Sequence, residues 1–237
     1  MINFSKVIKI IPTYNEKENV VVLVPVIFEC MPETSILIVD DNSPDGTGKT
    51  VESLAKKYPK LTLHERTQDR GFGRSYIDGF RKIKNDSRYE FVVMMDADFS
   101  HDPNTIPAMI DKLTDSDLII GSRYISNGRI DNWNLKRKIL SRFANFYART
   151  ILGLPVKDVT TGFMCFRKSV LDKIDLGSIK SDGYAFLVEM KYRIFKAGYR
   201  ICEHPIVFNE RREGQSKMSA KVIWESIWLP WRIKFFK

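Results

Sequence analysis

The stretch Phe91-Val92-Val93-Met94-Met95-Asp96-Ala97-Asp98 sets five apolar residues in a row against an abrupt acidic end. A run this short, with two valines and no alternation, reads as a strand buried on both faces. The same unit recurs on either side. Val7-Ile8-Lys9-Ile10-Ile11 ends at Pro12, Ile36-Leu37-Ile38-Val39 stops at Asp40-Asp41, and Leu118-Ile119-Ile120 leads into Gly121-Ser122-Arg123. Leu61-Thr62-Leu63 reads as a further short strand.

Helical spacing fills the intervals. Asn15 and Glu16 open a helix to about Met31, and Val51 to Lys57 form another. Gly71-Phe72-Gly73 opens a helix through Ile77, Phe80 and Ile83, and Ile106, Met109, Ile110 and Leu113 mark the next. Strands alternating with helices predict a single α/β, Rossmann-like domain with a mostly parallel central sheet and helices on both faces. In such sheets ligands sit beyond the carboxyl ends of the strands. Here those ends carry Thr13-Tyr14-Asn15-Glu16, Asp40-Asp41, Asp96-Ala97-Asp98 and Arg123, so acidic and polar residues converge on one edge.

The second half is less regular. Leu135 to Leu152 predicts a basic helix, Thr161-Gly162-Phe163 a turn into a short strand, and Phe186 to Phe195 a helix. Residues 209–217 are polar and charged and read as a mobile loop. The domain is expected to span 1–219. Within 220–237, Trp224, Ile227, Trp228 and Trp231 share one helical face among Lys221, Arg232, Lys234 and Lys237. That composition suits a membrane headgroup region or a protein partner.

The chain has 237 residues and a formal charge of +9, an excess that favours anionic partners without choosing among them. The residues before Val7 do not read as a secretory signal, and no segment approaches the ~20 apolar residues that span a bilayer. Cys30, Cys165 and Cys202 are far apart and without Cys-x-x-Cys spacing, which argues for a reducing compartment and against a zinc site.

Asp96 and Asp98 stand on the same side of an extended strand, so both carboxylates can face one hard cation such as Mg²⁺ or Mn²⁺. A solvated strand-end turn is the plainer reading of Asp-x-Asp alone, and Asp40 and Asp41 on the neighbouring end add weight to the metal. Ser100 is a candidate further ligand, while His101, beside Asp102-Pro103, reads as a surface histidine. Gly71-x-Gly73 could let a helix start approach a phosphate, but lacks the full dinucleotide and P-loop patterns. Arg123, at a buried strand end, is the foremost phosphate-binding candidate, because its fork suits phosphate oxygens.

Taken as an ordered set, these motifs resemble a known family. Pro12-Thr13-Tyr14-Asn15-Glu16, Val39-Asp40-Asp41, Asp45-Gly46-Thr47 and Asp96-Ala97-Asp98 resemble the inverting family-2 glycosyltransferases of GT-A fold. Gly121-Ser122-Arg123-Tyr124, Trp133-Asn134-Leu135-Lys136-Arg137-Lys138, Ser141-Arg142, Asp158 to Phe163 and Arg211-x-x-Gly214-x-Ser216-Lys217 look like those of dolichyl-phosphate (polyprenyl-phosphate) mannose synthases. The likeness runs from about Lys9 to Lys217. Many relatives continue into membrane-spanning helices where this chain stops, so it resembles the short form of the family or a piece cut before a membrane part.

The resemblance implies transfer of mannose from GDP-mannose to a polyprenyl phosphate, with Mg²⁺ or Mn²⁺. Pro12, Tyr14, Glu16, Val39, Asp40 and Ala97 would frame the nucleotide sugar, and Asp96 and Asp98 would hold the metal; some relatives carry Gln where this chain has Ser100. Arg123, Arg137, Arg211 and Lys217 would grip donor and acceptor phosphates, and Glu189 would lie on the acceptor side. Asp98, Arg123, Arg211 and Lys217 are the implied catalytic set. The enzyme would work in the cytoplasm, peripherally on the cytosolic face of a membrane, with or without a small membrane-anchored subunit. A UDP-glucose-dependent relative and a non-catalytic nucleotide-binding subunit are the alternatives. A nucleic-acid partner is not expected, since acidic strand ends repel a phosphate backbone.

Overall fold

The computed structural model describes residues 2–209 and 220–235, with the backbone alone for 220–226. The main sheet has seven strands in the order β3-β2-β1-β4-β7-β5-β8. These are β1 (Val7–Thr13), β2 (Ser35–Asp40), β3 (Leu61–Glu65), β4 (Phe91–Met94), β5 (Leu118–Ser122), β7 (Met164–Arg167) and β8 (Ile201–Pro205). A small second sheet pairs β6 (Arg129–Ile130) with β9 (Val207–Phe208). β1, β2, β3 and β4 run parallel, as do β5 and β8. The expected mostly parallel sheet is therefore present, with one exception.

That exception positions the site. β7 inserts between β4 and β5 and runs antiparallel to both, pairing Met164 with Met94 and with Ile120. Its N-terminal end therefore lies at the C-terminal ends of its neighbours. Residues 158–163, far along the chain, reach the edge that carries Asp96, Asp98 and Arg123.

The apolar runs divide by strand parity into two core layers, as alternate side chains must. Val7 and Ile11 face the layer covered by α1 (Lys17–Cys30), α2 (Thr47–Ala55) and α4 (Ile106–Asp111). Ile8 and Ile10 face α3 (Phe72–Ile83), α5 (Leu135–Leu152), α6 (Gly183–Lys196) and α7 (Ala220–Phe235). On that second side Tyr76 stacks on Phe80 and Phe186, and Phe80 meets Phe166 edge-on. Each such buried ring contributes roughly 1.5–3 kcal/mol. Gly79 lets α3 seat directly on the sheet: a Cβ there would fall 2.8 Å from Ile10 Cγ2. Leu229 and Ile233 bring α7 into this same core, so residues 227–235 both pack on the domain and face outward.

One buried charge sits off the site. Lys9 is fully buried on β1, its ammonium donating to Thr34 Oγ1 at 2.7 Å, and the Thr34 hydroxyl donating in turn to the Val7 carbonyl at 3.1 Å. Burial lowers its pKa from 10.5 to about 7. Below that range both folded and unfolded chains hold the proton, and between about 7 and 10.5 only the unfolded chain does. Stability therefore rises with pH across this window. Lys9→Met removes the effect, so urea denaturation should show it gaining on the wild type by about 2 kcal/mol more at pH 7 than at pH 9. An equal difference at both pH values would refute the assignment.

Candidate active site

Three strand ends bend sharply at the edge where ligands bind such sheets. Asn15 after β1, Asn42 after β2 and Phe99 after β4 all adopt positive φ, at 60°, 53° and 61°. Asn tolerates that region and Phe does not, so the turn at Phe99 stores about 1–3 kcal/mol of backbone strain that packing must hold.

At β1 and β2 the carboxylates face inward. Asp40 is wholly buried and accepts from Thr13 Oγ1 at 2.6 Å, Ser43 Oγ at 2.7 Å and the Ser43 N–H at 2.8 Å. Asp41 accepts from the Gly71 N–H at 2.9 Å, from Ser75 Oγ at 3.0 Å and from the Arg66 guanidinium. Arg66 also reaches Asp78 and the Asp69 carbonyl. The expectation that Asp40 and Asp41 would reinforce a metal centre is corrected: they knit the β1–β2 shelf together. Val39 is likewise buried, packed toward Gly79, so only its backbone can reach a nucleotide.

Asp45 fixes the exposed part of this shelf. It accepts the Thr47 N–H and hydroxyl at 2.9 and 2.6 Å at the start of α2, and the Lys17 N–H at 3.1 Å. Thr47 Oγ1 accepts the Glu16 N–H at 3.1 Å, and Glu16 itself accepts from Asn19 Nδ2 at 2.6 Å. The turn from Pro12 to Glu16 is thereby clamped, with Tyr14 exposed and the Arg70 guanidinium 5.5 Å from its ring. This pair offers a flat, cationic-backed surface suited to a base or sugar.

At β4, Asp98 is nearly buried and accepts both the Ser100 hydroxyl at 2.6 Å and the Ser100 N–H at 3.1 Å on Oδ1. Ser100 thus orients Asp98. His101 is buried, contrary to its expected surface position. Its Nδ1 accepts the Asp96 N–H at 3.0 Å and its ring stacks on Phe163 at 4.8 Å. Gly162 comes within contact range of both Asp96 and His101. Among the described residues no group of three or more His, Cys, Asp or Glu gathers around one point. Two oxygen donors on one strand end fit a hard cation whose shell is completed by substrate phosphates and water. They do not fit a closed protein cage.

At β5, Arg123 lies buried with Nε and Nη2 each 2.7 Å from Asp158 Oδ2 and Oδ1 respectively, and Nη2 2.8 Å from Thr160 Oγ1. Its own N–H also donates to Asp158, at 3.0 Å. Burial would raise the Asp158 pKa, and Arg123 reverses this and holds it low. The foremost phosphate-binding candidate, Arg123 is also the partner of Asp158, and among the described residues its Nη1 makes no hydrogen bond. Tyr124, Trp133 and Phe208 surround the guanidinium at 5.3, 5.8 and 5.2 Å. Trp133 also carries Arg137, 3.8 Å from its ring centre.

Residues not singled out from sequence hold this turn. Asn145 of α5 accepts the Val159 and Thr160 N–H groups at 2.7 and 3.2 Å. Glu203 of β8 accepts the Asp158 N–H at 3.0 Å, and Lys191 donates to the Thr161 carbonyl at 2.7 Å. Only tertiary contact reveals them, since none belongs to a local motif.

Two further candidates are engaged within the protein. The start of α3 does not await a phosphate, because Asp182 Oδ1 accepts the Gly73 N–H at 2.5 Å and a Cβ at Gly71 would strike Asp182 Oδ2. Glu189 is buried, accepting from Ser181 Oγ and, at 2.9 and 2.8 Å, from Arg193. That bonding makes it a brace of α6. Arg211 and Lys217, with the loop that carries them, lie outside the described residues.

Removing one partner of the Arg123–Asp158 pair strands a buried charge. Asp158→Ala should cost about 3–5 kcal/mol in urea denaturation, and the paired change Arg123→Met with Asp158→Leu should recover most of that. A loss below about 1 kcal/mol would show the pair to be solvated.

Against this geometry, comparison with known proteins is specific. Residues 9–175 match the family model for glycosyl transferase family 2. The chain is 40% identical over 222 residues to an undecaprenyl-phosphate mannosyltransferase of Micrococcus luteus, covering 94% of this chain and 91% of that protein. It is 40% identical over 225 residues to a polyprenol monophosphomannose synthase of Mycolicibacterium smegmatis, covering 94% and 84%. Among solved structures it resembles glucosyl-3-phosphoglycerate synthase of Mycobacterium tuberculosis in complex with Mn²⁺, UDP and glucosyl-3-phosphoglycerate, with TM-score 0.65, 14% identity and 96% and 77% coverage. A mannosyltransferase of Pyrobaculum calidifontis bound to GDP-mannose and Mn²⁺ superposes with TM-score 0.61, 21% identity and 89% and 58% coverage. The sheet is that of the GT-A glycosyltransferases, and the chain belongs to glycosyl transferase family 2.

Proposed function

We propose that this enzyme transfers mannose from GDP-mannose to a polyprenyl phosphate with inversion, giving a β-linked polyprenyl phosphate mannose and GDP, at the cytosolic face of a membrane. The observation that carries the reading is the juxtaposition, along one sheet edge, of the Asp96–Asp98 pair with the arginine cluster at β5 and α5. The relatives named for mannosyl transfer to polyprenyl phosphates, at 40% identity over nearly the whole chain, support the choice of substrates.

The acceptor needs no base. A phosphate monoester is already largely dianionic near neutral pH, with a second pKa of ~6. Its oxygen forms the new bond to the anomeric carbon as the bond from that carbon to the donor diphosphate breaks, and GDP departs with the electron pair. The protein's task is electrostatic: to hold two anions together and stabilise the leaving diphosphate. Asp96 and Asp98 would hold Mg²⁺ or Mn²⁺, which neutralises charge on the diphosphate when bound. Tyr14 and Arg70 would seat the nucleoside on the clamped shelf. Arg137, raised on Trp133, and Arg123 would face the acceptor phosphate, with Arg211 and Lys217 contributing from residues beyond those described.

Purified protein with a short polyprenyl phosphate, metal and GDP-mannose should release GDP only when lipid and metal are both present. Asp98→Asn should lower turnover by roughly a hundredfold or more while circular dichroism stays unchanged. Release of UDP from UDP-glucose alone would move the donor to glucose, and wild-type turnover by Asp98→Asn would end the metal assignment. Ser100→Ala, which deprives Asp98 of its orienting donor, should raise the metal concentration for half-maximal rate by about 10–100-fold. At saturating metal the rate should recover; an unchanged midpoint would deny Ser100 a part in the centre.

A further inference from the structure

The carboxylates of Asp96 and Asp98 follow β4, whereas Arg123 stands just past β5 and Arg137 in the first turn of α5. β7 separates the two strands and runs against both, so the acidic and basic parts of the site sit on ends that are not neighbours. One ring meets groups from both ends.

That ring is Phe208, half-buried on β9. It lies edge-on to His101, at 6.0 Å between centroids and 71° between planes. His101 accepts the Asp96 N–H and stacks on Phe163, so two rings hold the imidazole that holds Asp96. Toward the basic end Phe208 lies edge-on to Trp133, at 5.5 Å and 73°, and 5.2 Å from the Arg123 guanidinium. Trp133 carries Arg137. A row of packed rings thus runs unbroken from the Asp96 backbone to the Arg137 guanidinium, with Phe208 at its centre.

The backbone beneath this ring is pinned from two directions. The Ile206 N–H donates to the Ser122 carbonyl at 3.0 Å, tying the segment to the residue before Arg123. The Ile206 and Phe208 carbonyls accept the N–H groups of Arg129 and Asp131, both at 3.0 Å, in the pairing with β6. Two strands of two residues each add little stability by themselves, and edge-on ring contacts add only modestly to it. What the arrangement supplies is a fixed place for one ring.

We propose that Phe208 is a positioning residue for the transfer step, its ring setting the spacing between the Asp96–Asp98 pair and the platform of Arg123 and Arg137. The inference rests on the proposed reaction, which supplies the two anions to be spaced. In a direct displacement the acceptor oxygen must meet the anomeric carbon in line, and an error of about 1 Å can cost roughly a hundredfold in rate. Binding of either anion alone makes no such demand. Loss of the ring therefore shows in turnover and spares the separate binding steps.

Phe208→Leu should lower kcat for GDP release at least about tenfold with lipid and metal saturating. Its KM for GDP-mannose should stay within about twofold of the wild type. So should its affinity for Mn²⁺ in the presence of GDP, read by electron paramagnetic resonance without any turnover. Phe208→Tyr, which keeps the ring, should recover most of the rate. Wild-type kcat in Phe208→Leu would overturn the proposal, as would an equal loss in Phe208→Tyr. A loss matched by equally weakened Mn²⁺ binding would also overturn it, leaving the ring as a support of the acidic end alone. Should Phe208→Leu fail to fold, Phe208→Met, an unbranched replacement, carries the same comparison. A wild type that binds Mn²⁺ and GDP but transfers no mannose would refute the reaction and the spacing role together. An active wild type beside an equally active Phe208→Leu would remove the spacing role and leave the reaction standing.

Discussion

The bidentate pair of Arg123 and Asp158 joins parts of the chain that no local rule connects. Arg123 ends β5, Asp158 lies in the turn before β7, and Glu203 of β8 and Asn145 of α5 hold that turn from either side. Both charges are buried, and desolvating them costs several kcal/mol that their attraction roughly offsets. The net gain is therefore in geometry. Two parallel N–H···O bonds fix the plane of the guanidinium, and the surrounding rings of Tyr124, Trp133 and Phe208 leave it no other orientation. Trp133, so placed, becomes the platform for Arg137.

The acidic residues at the sheet edge divide by what they already hold. Asp40, Asp41, Asp45 and Asp182 accept hydrogen bonds from nearby backbone and hydroxyl groups, and Asp41 an arginine as well. Such carboxylates are framework: they satisfy the donors that sharp turns leave unpaired. Asp96 and Asp98 follow β4, with Ser100 and His101 bonded to them from the strained turn at Phe99. A site that must bind an anionic diphosphate beside so many acids works only because most of that charge is committed within the shelf.

β1, β2, β4 and β5 are legible because parallel strands buried on both faces read as unbroken apolar runs, and the bounds of α5 agree with its helical spacing; β8, half-buried throughout, and the two-residue β6 and β9 carry no such run. Direction was not legible. Met164 to Arg167 is a four-residue run with nothing in it to say that it enters between β4 and β5 and runs backward. The errors at single residues share one cause. His101 looked exposed beside Asp102-Pro103, yet Phe163 covers it from 62 positions away in the chain. Gly71-x-Gly73 looked open to a phosphate, yet Asp182 fills it from 109 positions away. Arg123 does stand at a buried strand end, but nothing near it in the sequence shows that its partner is Asp158. Local pattern identifies the type of chemistry at a position; the long-range partner decides whether that chemistry is spent internally or presented to a ligand.

The same distinction applies to the outer face. Read from sequence, the α7 tryptophans could cover the domain's own core or meet something outside, and the helix does both: Leu229 and Ile233 turn inward while Trp228 and Trp231 stay exposed. α5 carries the argument further, because its inward face is held by Asn145, a polar residue serving the 158–160 turn. With Asn145, Ala148 and Leu152 as its buried residues, α5 has apolar area left over, and that area faces away from the protein on a helix with five Lys or Arg and no acid. Arg137 stands two residues after Leu135, seated on the Trp133 ring, so the first turn of α5 supplies the basic end of the site while the rest of the helix carries the exposed apolar stripe.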